Sequence, residues 1–114
     1  MTQYRTETDT MGEMQVPQDA LYGASTARAV DNFPIAHEPV PAGVIHAFGD
    51  LKAACALANQ GLGKLDGRLA DAIVSASDEV AAGKYDVHFP VDIYQTGSGT
   101  STNMNANEVI ANLA

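Results

Sequence analysis

The chain has 114 residues, 46% of them hydrophobic, with a formal net charge of −8 at pH 7. That length allows one domain or part of one with a modest core, and that apolar content excludes a disordered tail. The acidity argues against a nucleic-acid surface and against an anionic membrane partner.

Residues 3–16 alternate weakly around Met11-Gly12 and predict two short strands about a turn. Val16-Pro17-Gln18-Asp19 breaks that pattern, with Asp19 a candidate cap for a short helical turn. A helix is expected over 22–33, carrying Ala27, Val30 and Phe33 on one face. Pro34, Pro39 and Pro41 then fence off a loop in which His37 and Glu38 are expected to face solvent.

Pro41 suits the first turn of a long helix. Val44, Phe48, Leu51, Cys55 and Ala58 recur at heptad-like spacing, which predicts a seam against a second helix. Gly61 and Gly63 are its expected end. Asp66 is placed to cap the partner helix, whose Leu69, Ile73, Ala76 and Val80 repeat the spacing up to Gly83. The expectation is an antiparallel pair joined by a glycine loop. Cys55, the lone cysteine, reads as a buried structural thiol in a reducing compartment, since no intrachain disulfide is possible.

Residues 84–94 are expected to be extended, because Pro90 disfavours a helix through Phe89. His37, His46 and His88 lie on separate segments and form neither a nucleophile triad nor a metal-ligand spacing, so no metal is expected. No role is assigned to His88. The N-terminus lacks an apolar signal segment and no run reaches transmembrane length; a soluble, cytoplasmic protein is expected.

The most informative stretch is 95–108, in which only Glu108 carries a full charge. Hydroxyls, amides, Gly97 and Gly99 crowd together just before the helix-compatible run Val109–Ala114. A glycine-hydroxyl loop entering a helix offers backbone N–H groups and hydroxyls to an anion at the positive end of the helix dipole. With no lysine or arginine in it, the loop suits a small carboxylate held by neutral donors. The bland alternative is a tight turn whose hydroxyls satisfy the helix start. Thr100 is the favoured cap; Asn105 with Glu108 is the alternative, as a capping-box variant. Asn103, Asn105 and Asn107, poor helix formers beside an apolar run, predict a buried polar network. Residues 109–114 read as helix in progress, without a stop signal.

Gln95-Thr96-Gly97-Ser98-Gly99-Thr100, followed by Asn103-Met104-Asn105 and Asn107-Glu108, resembles the first substrate-site segment of class II fumarases, in the aspartase/fumarase superfamily. Asp9-Thr10-Met11-Gly12-Glu13, Val16-Pro17, Ala27-Arg28-Ala29-Val30, Asn32-Phe33-Pro34, Leu51-Lys52, Cys55 and Phe89-Pro90 agree in order and spacing along essentially the whole chain. Aspartate ammonia-lyases are similar too, but typically carry Gly-Gly-Ala where this chain has Thr96-Gly97-Ser98. Val87-His88 departs from the polar pair usual in the family.

The resemblance implies a mainly α fold. Residues 1–114 would be an incomplete fumarate lyase N-terminal domain with a short β-hairpin at its start, ending before the central helical bundle, its last helix cut. It implies reversible hydration of fumarate to L-malate in the tricarboxylic acid cycle, by a homotetramer that uses no cofactor. Ser98, Gly99 and Thr100 would contact substrate, with Asn103, Asn105 and Asn107 in support. The catalytic serine and histidine have no match here and are expected beyond residue 114. The competing readings are an aspartate ammonia-lyase and a non-catalytic helical interaction module, the latter predicting a capped final helix.

Overall fold

A computed structural model describes residues 2–114. Strands β1 (Tyr4–Asp9) and β2 (Gly12–Pro17) form an antiparallel hairpin, in register from Tyr4 opposite Pro17 to Asp9 opposite Gly12. Helices α1 (Ala24–Asn32), α2 (Ala42–Gly61), α3 (Gly67–Ala81) and α4 (Thr100–Leu113) follow, with a single 3₁₀ turn at Asp86–His88 before α4. The fold is mainly α with a hairpin at its start, as expected.

No helical turn forms at Asp19; residues 18 and 19 are a plain turn and the helix waits until Ala24. The reason lies in Arg5. Its guanidinium donates to the carbonyls of Pro17, Gln18, Ala20 and Tyr22 at 2.8–3.0 Å, and to the Glu7 carboxylate at 2.8 Å. Carbonyls gathered around one fork of donors are not available to a helix, so the segment is held as an irregular strap.

The α2–α3 pair is antiparallel, and both helices end as the glycines predict. Gly63 and Gly83 take left-handed φ, of 72° and 83°. Lys64 N–H returns to Asn59 O and Lys84 N–H to Glu79 O, the Schellman pattern. Asp66 caps α3 by accepting from Arg68 N–H at 3.2 Å.

The packed face of α2 is not the expected seam. Ile45, Gly49, Ala53 and Ala56 are buried, Phe48 is half-buried, and Val44, Leu51, Cys55 and Ala58 are exposed. At the crossing, a Cβ added to Gly49 would lie 2.5 Å from Ala81 N and 2.7 Å from Ser77 O. Backbones that close exclude large side chains, so the small-residue stripe sets the contact. Cys55 is therefore an exposed thiol, correcting the buried reading. Of the α3 set, Ala76 and Val80 are buried, Ile73 partly so, and Leu69 is exposed, displaced by Ala70.

The core joins Ile45, Ala76, Val80, Phe89, Ala106, Val109 and Ile110. In α1 the buried positions are Ala24, Thr26, Ala27 and Ala29, while Val30 and Phe33 are half-buried. His37 and Glu38 face solvent as expected, on a loop wrapped around the buried Asp92. Burial alone would push the Asp92 carboxyl up; the N–H groups of Tyr94, Glu38 and Ala36 outweigh it and hold it below the usual range. Residues 84–94 are not uniformly extended. The Gly83 turn leads into the 3₁₀ turn closed by His88 N–H to Tyr85 O and Phe89 N–H to Asp86 O.

Candidate functional site

The polar loop closes on the first turn of α4. Gly97 and Gly99 have φ of 87° and 79°, a region that L side chains rarely adopt. Gly99 occupies the N-cap position and Thr100 is the first helical residue, so neither Thr100 nor the Asn105–Glu108 pair is the cap. A glycine has no side chain with which to cap. That work is done by Gln95, which is buried. Its Oε1 accepts from Thr102 N–H at 2.9 Å, and its Nε2 donates to Thr102 Oγ1 at 2.6 Å and to Asp92 O at 3.4 Å.

The first N–H groups of any helix have no intrahelical acceptor. In α4, Thr102's goes to Gln95 and the helical ladder begins with Asn103 N–H to Gly99 O, which leaves those of Thr100 and Ser101 at the loop end. Above them runs a chain of exposed hydroxyls. Ser98 Oγ lies 2.8 Å from Thr100 Oγ1 and 3.4 Å from Thr96 Oγ1. A Cβ placed at Gly97 or Gly99 would meet nothing within 4 Å, so the loop's outer surface is open. The structure thus brings Ser98, Gly99 and Thr100 together at the positive end of α4.

The asparagines do not form one network. Asn105 is 1% exposed and donates through Nδ2 to His88 O at 3.0 Å, its Oδ1 unpaired. Asn103 is half-buried. Asn107 is exposed, on the wall of a cleft of about 300 Å³ that it shares with Lys52, Cys55, Ile73 and Ile110. Helix geometry turns residues two apart to different sides, so only the middle one points inward. His88 belongs to the scaffold. Its Nδ1 accepts from Leu21 N–H at 3.1 Å, and burial holds its pKa below the ordinary histidine value, favouring the neutral ring.

Glu108 is the second residue whose role the pattern hid. It reaches across to the N-terminus of α1, accepting from Ser25 N–H at 3.2 Å, from Thr26 N–H at 2.8 Å and from the Thr26 hydroxyl. A carboxylate there satisfies orphan donors and opposes the positive helix end. Gly23 makes room, since a Cβ there would sit 2.6 Å from Glu108 Oε2.

The cation that shares a cleft with the loop is already engaged. A cleft of about 280 Å³ between the hairpin, α1 and the loop is lined in part by Arg28, Thr96 and Ser101. Arg28 is bound there by Asp9, Nη2 to Oδ1 at 2.7 Å and Nε to Oδ2 at 3.1 Å. The Arg28 hydrogen bond is the main reason that the Asp9 carboxyl is lowered to about 2. Among the described residues no group of three His, Cys, Asp or Glu side chains is placed to hold a metal. Among the described residues no helix is long and apolar enough to cross a membrane.

A family profile described as "Lyase" matches residues 12–114. The chain belongs to this lyase family. It is 60% identical over 97% of its length to the class II fumarate hydratase of Xylella fastidiosa, and 60% identical over 97% to that of Halobacterium salinarum. It spans about a quarter of those relatives, 24% of each. A crystal structure of the class II fumarase from Schistosoma mansoni superposes with a TM-score of 0.92 at 41% identity, covering 95% of this chain and 23% of that one. The hairpin and helices are therefore those of the N-terminal part of a fumarase-type lyase fold.

Proposed function

We propose that the chain is the N-terminal segment of a class II fumarate hydratase, residues 1–114 forming an incomplete N-terminal domain that supplies one wall of a site hydrating fumarate to L-malate. The observation that carries this is the 60% identity to class II fumarate hydratases over 97% of the chain. In this reading Ser98, Gly99 and Thr100 contact a substrate carboxylate, through hydroxyls and the N–H groups at the start of α4. Removing a proton beside a carboxylate drives charge into it. Donors aimed at those oxygens therefore bind the transition state more tightly than the substrate.

Asn103, Asn105 and Asn107 are assigned to support of the site, Asn105 through its bond to the His88 carbonyl. The catalytic serine and histidine, and the cation that the loop lacks, come from segments with no match in these residues. The assembly is a homotetramer acting in the cytoplasm, in the tricarboxylic acid cycle, without a cofactor. An aspartate ammonia-lyase is disfavoured by Thr96-Gly97-Ser98, and an interaction module does not account for the identity.

The test follows the loss of fumarate's ultraviolet absorbance with the chain alone and with the remaining three quarters of the X. fastidiosa enzyme supplied. We expect no hydration alone and activity on complementation. Ser98→Ala together with Thr100→Val should then lower kcat/KM at least tenfold, a loss of about 1.4 kcal/mol of transition-state binding. Full activity of the chain alone would overturn the assignment of the catalytic base to other segments. No activity from a folded, associated assembly would overturn the hydratase reading.

A further inference from the structure

The loop at residues 96–101 is anchored at each end by one side chain. Gln95, immediately before it, binds both the N–H and the hydroxyl of Thr102, immediately after it. The span that carries Ser98, Gly99 and Thr100 is thereby closed into a ring whose clasp is buried while Thr96, Ser98 and Thr100 are exposed. The position clasped, the third residue of α4, is one that an aspartate or serine at the N-cap would ordinarily serve. Here the N-cap is Gly99, on the loop itself.

A carboxylate in the same place would still serve the Thr102 end of the helix, giving up the amide's donation to Asp92 O at 3.4 Å. It accepts from the N–H, accepts from the Thr102 hydroxyl, and opposes the helix dipole. It would also set a negative charge beneath a loop that has no cation of its own. The clasp's remaining hydrogen-bond partner is uncharged: it is the Asp92 backbone carbonyl, and the Asp92 carboxylate is turned to the N–H groups of residues 36, 38 and 94.

We propose that Gln95 is the positioning residue for the Ser98–Thr100 donors, and that its uncharged amide allows it to fasten α4 without repelling the anion the loop receives. The second half rests on the hydratase reading; the first does not.

Two measurements separate the halves. On the 114-residue chain, amide exchange at Thr102 and chemical shifts of Ser98–Thr100 report the clasp directly. Gln95→Leu should accelerate Thr102 exchange at least tenfold and move those shifts, and Thr102→Val, which keeps the N–H but loses the hydroxyl, should do so in smaller measure. Gln95→Glu should leave Thr102 protected. Unchanged exchange in both Gln95→Leu and Thr102→Val overturns the clasp.

In the complemented enzyme, Gln95→Glu should raise KM for fumarate about tenfold while kcat stays within about twofold, and added salt or a pH low enough to protonate Glu should shrink the difference. Gln95→Leu should instead lower kcat. An unchanged KM in Gln95→Glu, or a KM effect insensitive to both salt and pH, overturns the charge half. If the wild-type assembly does not hydrate fumarate, the hydratase reading and the charge half fail together, while the exchange data still decide the clasp.

Discussion

Asp9 joins the hairpin to α1, receiving Arg28 on both carboxylate oxygens, the Met11 N–H at 2.9 Å and the Ser25 hydroxyl at 3.2 Å. With its pKa lowered from 3.8 to about 2, the folded state prefers the ionised form. A lowered carboxyl gives stability that is present above the unfolded pKa and lost as pH falls through the folded one. The Asp9 contribution should thus be complete above about pH 4 and gone near pH 2. Melting temperatures of the wild type and Asp9→Asn should differ at pH 6 and converge towards pH 2. A difference that holds constant over that range would disprove the account. At this scale the sequence shows some residues and hides others. Ser98, Gly99 and Thr100 announce themselves, because glycine and hydroxyl side chains act on their own backbone. Arg5 and Glu108 do not, because the carbonyls that Arg5 gathers and the donors that Glu108 receives lie 12–17 and 82–83 residues away. No local spacing encodes such partners.

Among the elements, the α2–α3 crossing shows where periodicity runs out. The 3.6-residue repeat fixes that residues 42–61 are helical and that Gly63 ends them, yet it ranks Val44 and Leu51 above Gly49 and Ala53 as contact residues. Packing reverses the order, because dispersion rewards the closest approach of two backbones over the largest single side chain. Gly49→Ala tests this. An exposed helical glycine changed to alanine would stabilise by about 1 kcal/mol. Here the added methyl meets Ala81 N and Ser77 O, and we expect the denaturation midpoint to fall by the equivalent of about 2 kcal/mol from the forced separation. A midpoint that rises would show that the crossing is loose. The extended reading of residues 84–94 missed for a related reason. Pro90 restricts Phe89 but says nothing about residues 86–88, whose turn is set by how Phe89 is drawn into the core.

For the whole molecule, the unused stripe of α2 becomes a surface property. Leu51, Leu57, Leu62 and Leu69 are all more than half exposed, Leu62 at 70%. From apolar surface of this kind we expect association even against a charge of −8. In sedimentation equilibrium the mass should rise above 11.9 kDa with concentration, and Leu51→Glu with Leu62→Glu should suppress the rise without lowering the melting temperature. A mass that stays at 11.9 kDa throughout would show that the leucines are well enough solvated where they are. The carboxylate of Glu108 also has a bearing on time. The turn that opens α1 at residue 24 finds its acceptor only at residue 108. A ribosome must therefore deliver 82 further residues after Thr26 before that early helix can be closed, and α1 waits for α4.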